Sequence, residues 1–143
     1  MLYERPQYDA EQVYDRRDAE TMVAMMERVI TDGTGTRARL ANWQVAGKTG
    51  TSQDFRDAWF AGFSAVRVGA VWVGNDDDSA MKKVTGGGLP AALWHDMMVL
   101  AHDGLEPQPL AGAGTLKTLS PQAQQRIAFY RDLGMAFEGA ATN

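Results

Sequence analysis

Apolar residues fall into three kinds of spacing along the chain. Met22, Val23, Met26, Val29 and Ile30 recur at intervals of three and four, the signature of one helical face. Asp18 stands where an N-cap belongs, Glu20 is well placed in the first turn, and Gly33 ends the pattern. These positions predict a helix at about 19–31, after a short extended piece and polar approach over 2–17. Residues 33–37, GTGTR, read as a loop.

The spacing then shortens. Trp43–Ser52, Asp57–Ser64 and Val68–Asn75 are strand candidates, and their connections, Gln53–Arg56 and Ala65–Arg67, are short enough for hairpins. An antiparallel meander is expected. In the second strand Trp59 and Phe63 fall on one face and Phe60 on the other. In the third, Trp72 is opposite Val71 and Val73. Strands apolar on both faces are covered on both faces, so the sheet is expected between two helical layers. The fold class that follows is α+β.

A polar loop, DDDSAMKKVTGGG, occupies 76–88. Leu89, Leu93, Met97, Leu100 and Ala101 then mark a second helix, with Pro90 tolerated in its first turn. The methionines are expected to fill core at helical spacing. After His102 the character changes. GLEPQPLAGAG reads as a linker, and Ser120-Pro121 as the N-cap and first residue of a last short helix. The chain therefore divides into 1–103 and a linker with a poorly packed tail over 104–143, where nothing suggests chemistry. There is no internal repeat.

Composition removes several classes of function. The 143 residues suffice for one domain with a modest core. A net charge of −4 recommends no nucleic-acid surface. The sequence has no cysteine, hence no disulfide and no thiolate metal site. No apolar run reaches the roughly 18 residues of a membrane span, and the start, MLYERPQYDAEQ, does not read as an export signal. Asp76, Asp77 and Asp78 read as a solvated turn rather than a metal site. His95 and His102, seven residues apart, are too far along a helix for a ligand pair and read as polar-face residues. No metal or cofactor is expected.

The candidate chemistry sits in VAGKTGTSQDFRDAWFAGF, residues 45–63. Lys48 invites a phosphate reading, but a P-loop needs a glycine where Asn42 stands and must lead into a helix. A surface lysine on an edge strand is the plain structural alternative. The third reading is recognition of an extended substrate by an edge strand, whose backbone supplies the hydrogen bonds. Gly50 would remove a side chain where the ligand comes close. Lys48 would supply a positive field for a carboxylate, and Thr49 and Thr51 hydroxyl donors. The Thr51 N–H could point at a developing oxyanion, a contact worth roughly 3–4 kcal/mol in a transition state.

The stretch GTGTRARLANWQVAGKTGTSQDFRDAWFAGF, followed by GAVWVGNDDD and TGGGLPAALWHDMM, resembles the last third of a class A, bifunctional penicillin-binding protein. The resemblance covers the transpeptidase domain from about residue 2 to residue 103. Serine β-lactamases share K-T-G but do not usually continue with a DAWFAGF-type strand. The likeness implies a serine acyl-transferase that cross-links peptidoglycan stem peptides and is acylated by penicillin. It places Lys48, Thr49 and Gly50 on the family's KTG motif and Thr51 on the position after it. Lys48 is thereby the candidate catalytic residue, with Thr49, Gly50 and Thr51 binding substrate. It implies the upstream part of the same domain as a partner. It also implies a periplasmic or cell-exterior location.

That family's S-x-x-K serine and S-x-N motif both precede KTG. The first serine here is Ser52, and no serine is followed two residues later by Asn. Ser79-Ala80-Met81-Lys82 fits S-x-x-K as a string. It follows KTG, however, and lies in an acidic loop where no helix would fix serine against lysine. The expectation is an incomplete enzyme, inactive alone, carrying one wall of the site. The alternatives from other classes are a non-catalytic module that binds peptidoglycan peptide or a partner chain, and a nucleotide-binding protein.

Overall fold

The structure is a computed structural model that describes residues 11–114 and Gln125. Two helices, α1 (Arg16–Thr31) and α2 (Leu89–Ala101), accompany three strands, β1 (Ala46–Thr51), β2 (Asp57–Phe63) and β3 (Val68–Gly74). The sheet is an antiparallel meander in the order β1-β2-β3, so the α+β meander expected from the sequence is present. The extended piece before residue 11 and the helix after Ser120 lie outside the described residues.

α1 begins earlier than the sequence predicts. Asp15, not Asp18, is the N-cap: its backbone is extended, and its Oδ1 accepts the Arg17 N–H at 2.7 Å. Asp18 lies in the first turn, where its charge opposes the helix's positive end. Ala24 and Ile30 are the buried residues of α1, while Met22 and Met25 remain exposed.

β1 is shorter than the predicted 43–52. Asn42 takes a left-handed turn at φ 63°, and Trp43 swings onto the His102 ring, with centroids 4.2 Å apart. Val45 enters the core, and the ladder opens only at Ala46, paired with Phe63. The register alternates as the sequence requires. Phe60, opposite Thr49 and Val71, turns to one face; Trp59, opposite Gly50 and Trp72, turns to the other.

The core sits on the Phe60 face. Ile30 of α1 and Ala91, Trp94 and Met98 of α2 join Phe60, Ala38, Leu40 and Val45 in one cluster. The Phe60 and Trp94 rings meet edge to face at 5.1 Å, and the Trp94 Nε1–H donates to the Gly69 carbonyl at 3.0 Å. Each large apolar side chain withdrawn here contributes about 1.5–3 kcal/mol.

Both helices contribute to this one cluster, which corrects the expectation of a sheet covered on two sides. Trp59 (47 % exposed), Trp72 (44 %) and Val68 (83 %) stand open on the opposite face. Two-sided apolarity was read correctly, but the described residues provide a layer for only one side. α2 needs a similar correction. Its buried face is Ala91, Trp94 and Met98, whereas Leu89, Leu93, Met97 and Leu100 point outward. The helix is apolar nearly all round, so periodicity alone could not pick its inner face. Of the methionines discussed, only Met98 is fully withdrawn from solvent.

His102 is not a polar-face residue. It is 6 % exposed at the C-cap of α2, with Nδ1 2.7 Å from the Met98 carbonyl and Nε2 2.8 Å from Ser64 Oγ. Beyond it, residues 105–109 are exposed, as a linker should be. Leu110 then returns to the body, buried, with its N–H on Gln44 Oε1 at 3.0 Å, and Gly114 N–H reaches Glu27 on α1. This part of the expected loose tail is packed.

Candidate functional site

β1 is an edge strand, and its outer side carries no strand among the described residues. Which backbone groups it presents follows from the ladder. Ser52 donates its N–H to the Asp57 carbonyl at 3.0 Å, so this opposed pair is hydrogen-bonded. Such pairs alternate in an antiparallel ladder. Gly50 and Lys48 therefore turn their N–H and C=O groups toward β2, and Thr49 and Thr51 turn theirs to the open edge. The Thr51 N–H and Thr49 carbonyl are what an extended ligand would meet.

The side chains divide across the sheet. Lys48 and Gly50 share the open face with Ala61 and Trp59. Lys48 is exposed, its Nζ donating to the Thr49 carbonyl at 2.7 Å. Gly50 has room above it, since an added Cβ would meet only Trp59 Cβ at 3.4 Å. Thr49 and Thr51 lie on the Phe60 face, nearer the loops that bracket α1 and α2.

Those loops close on β1 from beneath. The Gly86 N–H donates to Thr51 Oγ1 at 3.1 Å, and the Thr34 and Thr49 hydroxyl oxygens are 2.7 Å apart. Gly86 packs directly on the strand backbone: a Cβ there would come 2.5 Å from the Gly50 carbonyl oxygen and closer still to that of Trp59. Only glycine permits this approach. The Thr85–Gly88 loop is thus a clamp on β1 as well as the entry to α2, whose N-cap is Gly88.

Between these pieces lies an open cavity of about 520 Å³, lined by Thr34, Arg37, Thr49, Thr51, Thr85 and two glycines of the clamp. Of the four candidates read from the sequence, Thr49 and Thr51 line this cavity and Lys48 and Gly50 do not; Thr34, Arg37 and Thr85 were not among the candidates. The signal was present in G-T-G-T-R and T-G-G-G, but their convergence is tertiary.

Ser79 and Lys82 are exposed in the loop after β3, outside any helix. Asn75 Nδ2 donates to Ser79 Oγ at 3.0 Å, and the Ser79 hydroxyl and N–H hold the Asp77 carboxyl below its usual pKa. Asp78 pairs with Arg56. The three aspartates form a solvent-facing turn, with Asp77 held by Ser79 and Asp78 by Arg56, apart from the β1 edge.

The residues at 2–98 match the family model described as the penicillin binding protein transpeptidase domain. The chain is 40% identical over 91 residues to penicillin-binding protein 1A of Aquifex aeolicus, a match covering 63% of this chain and 12% of that protein. It is 40% identical over 87 residues to penicillin-binding protein 1A of Pseudomonas aeruginosa, covering 59% of this chain and 11% of the relative. The chain thus spans only about an eighth of these relatives' length. Among solved structures, penicillin-binding protein 1A from Haemophilus influenzae aligns with a TM-score of 0.47 at 23% identity, over 62% of this chain and 15% of that one.

Proposed function

The chain belongs to the penicillin-binding protein transpeptidase family, of the class A type, and we propose that it forms the KTG wall of a peptidoglycan-cross-linking active site. In this reading β1 receives an extended stem peptide, or a β-lactam in its place, along its open edge. The Thr51 N–H is one oxyanion donor, Thr49 and Thr51 bind substrate, Gly50 leaves the approach clear, and Lys48 supplies the positive field. The observation that carries the reading is the ladder parity that turns the Thr51 N–H outward on an edge that carries no strand among the described residues.

The nucleophile, its base and the second oxyanion donor come from the upstream part of the same domain. That segment packs on the sheet face of Trp59, Trp72 and Val68, and pairs with the outer edge of β3, neither of which is covered among the described residues. Residues 105–109 act as a linker from this part to Leu110 and Gly114, which pack back on it. The assembled enzyme works at the periplasmic or outer face of the membrane; no helix among the described residues is long and apolar enough to cross one. Catalysis by such a set is strongly non-additive, so this chain alone is inactive.

Fluorescent penicillin tests the reading. The complete domain containing this chain is expected to label covalently, with a stem-peptide mimic ending in a carboxylate as competitor. A complete domain that binds the mimic but never labels would instead favour the non-catalytic binding module.

A further inference from the structure

Lys48, the expected source of a positive field for a carboxylate, does not line the cavity that Thr49 and Thr51 share. Its side chain lies on the open sheet face and turns to the Thr49 carbonyl, while Thr49 and Thr51 project from the other face. The cation that lines the cavity with those threonines is Arg37. We propose that Arg37, with Thr34, is a specificity-determining pair that recognises the carboxylate of the peptide or β-lactam at this cavity. The proposal rests on the transpeptidase reading above and adds two residues to it.

Arg37 is held at its base and free at its tip. It sits in a 3-10 turn, Thr36–Ala38, pinned by Ala38, which is fully buried, and by the Gly35 N–H on the Val29 carbonyl at 2.8 Å. The side chain is exposed, and none of the ion pairs among the described residues involves it. A guanidinium offers a planar pair of N–H groups that matches a carboxylate, which an ammonium does not.

The hydroxyl protons point to the same ligand. Thr51 Oγ1 accepts from the Gly86 N–H, which leaves its own proton to donate. The Thr34–Thr49 contact uses one hydroxyl proton and leaves the other. Two hydroxyl donors and a guanidinium around one cavity suit an anion with two oxygens. A carboxamide or ester carries no charge to answer the guanidinium and forgoes its charge-assisted pair of hydrogen bonds.

The test compares acylation of the complete transpeptidase domain by a penicillin and by the same penicillin as its methyl ester. Arg37→Ala should lower the acylation efficiency of the acid about 10- to 100-fold and leave that of the ester within about threefold, narrowing the acid-to-ester ratio. Arg37→Lys should restore part of the loss, and Thr34→Val should move the ratio in the same direction. Equal losses for acid and ester, or an unchanged ratio, overturn the assignment while leaving the transpeptidase reading in place. An unmodified domain that neither compound acylates overturns both. Thermal unfolding of each variant separates a misfolded protein from a rewired site; an Arg37→Ala variant with the parental midpoint and ratio stands against the proposal.

Discussion

Ser64 and His102 are joined by a buried hydrogen bond of 2.8 Å that ties the β2–β3 hairpin to the end of α2. The Met98 carbonyl can only accept, so Nδ1 of His102 carries the proton and Nε2 accepts from the Ser64 hydroxyl. Ser64 Oγ in turn accepts the Val66 and Arg67 N–H groups at 3.2 and 3.1 Å. Every polar atom of the pair is used, and the Trp43 ring packs on the imidazole. We expect Ser64→Ala to destabilise the protein by about 1–3 kcal/mol in urea denaturation, because it strands a buried ring nitrogen and two hairpin N–H groups. A loss below the error of the measurement would mean that water replaces the hydroxyl.

Gly86 and Gly50 are neighbours with opposite tolerances. A Cβ on Gly86 would press on the Gly50 and Trp59 backbones, which cannot yield without moving β1. We expect Gly86→Ala to cost about 1–3 kcal/mol and to reduce penicillin acylation of the complete domain by displacing the strand. Gly50→Ala has space, and removing a strand glycine favours the fold by about 0.5–1 kcal/mol. Its stability should hold or rise while acylation falls, since the added methyl narrows the approach to the edge. Thermal midpoints and acylation rates of the two variants, measured together, check this contrast.

Lys48→Ala should leave stability nearly untouched, because an exposed lysine contributes little to folding. In the complete domain, penicillin acylation should slow by about 100-fold or more, through the lost field at the reacting group. Stopped-flow acylation kinetics decide the matter. A variant acylated at the parental rate would return Lys48 to the role of a surface residue.

The sheet and the edge were legible because alternation is a strong constraint. Trp59, Phe60 and Ala61 can take only one arrangement of faces once β2 is a strand, and K-T-G-T then divides the same way. The faces of α2 were not legible. Leu93 and Trp94 are both apolar, and only contact with Phe60 and Gly69 selects Trp94 as the inward residue. Arg37's place beside the cavity was not legible for a related reason. Arg37 is twelve or more residues from Thr49, Thr51 and Thr85, and no local pattern reports that two loops meet β1 there. His102 read as polar by residue type, but its partner Ser64 lies on another element.

The 143-residue chain by itself should form no covalent penicillin adduct. The chemistry needs a serine with a base in hydrogen-bond reach and access to the β-lactam carbonyl. Ser52 Oγ accepts the Asp57 N–H at 2.7 Å and caps the first hairpin. Ser64 does have an imidazole acceptor, the arrangement that activates a nucleophile, yet it is 6 % exposed and its oxygen already holds two backbone N–H groups. No β-lactam can reach it without opening the hairpin. Ser79 is accessible, but it sits in a loop whose only contacts to it are Asn75 and Asp77, neither placed as a base toward bound substrate. Ser120 lies outside the described residues and, by sequence, apart from the KTG strand. Non-covalent affinity should also be weak, because one wall of a cleft leaves a ligand mostly in water. Intact-mass spectrometry after incubation with excess penicillin is expected to show only the unmodified chain. A stoichiometric adduct mapping to Ser79 would make Ser79-Ala80-Met81-Lys82 a working nucleophile motif and replace the picture of a partial site with that of a self-sufficient one.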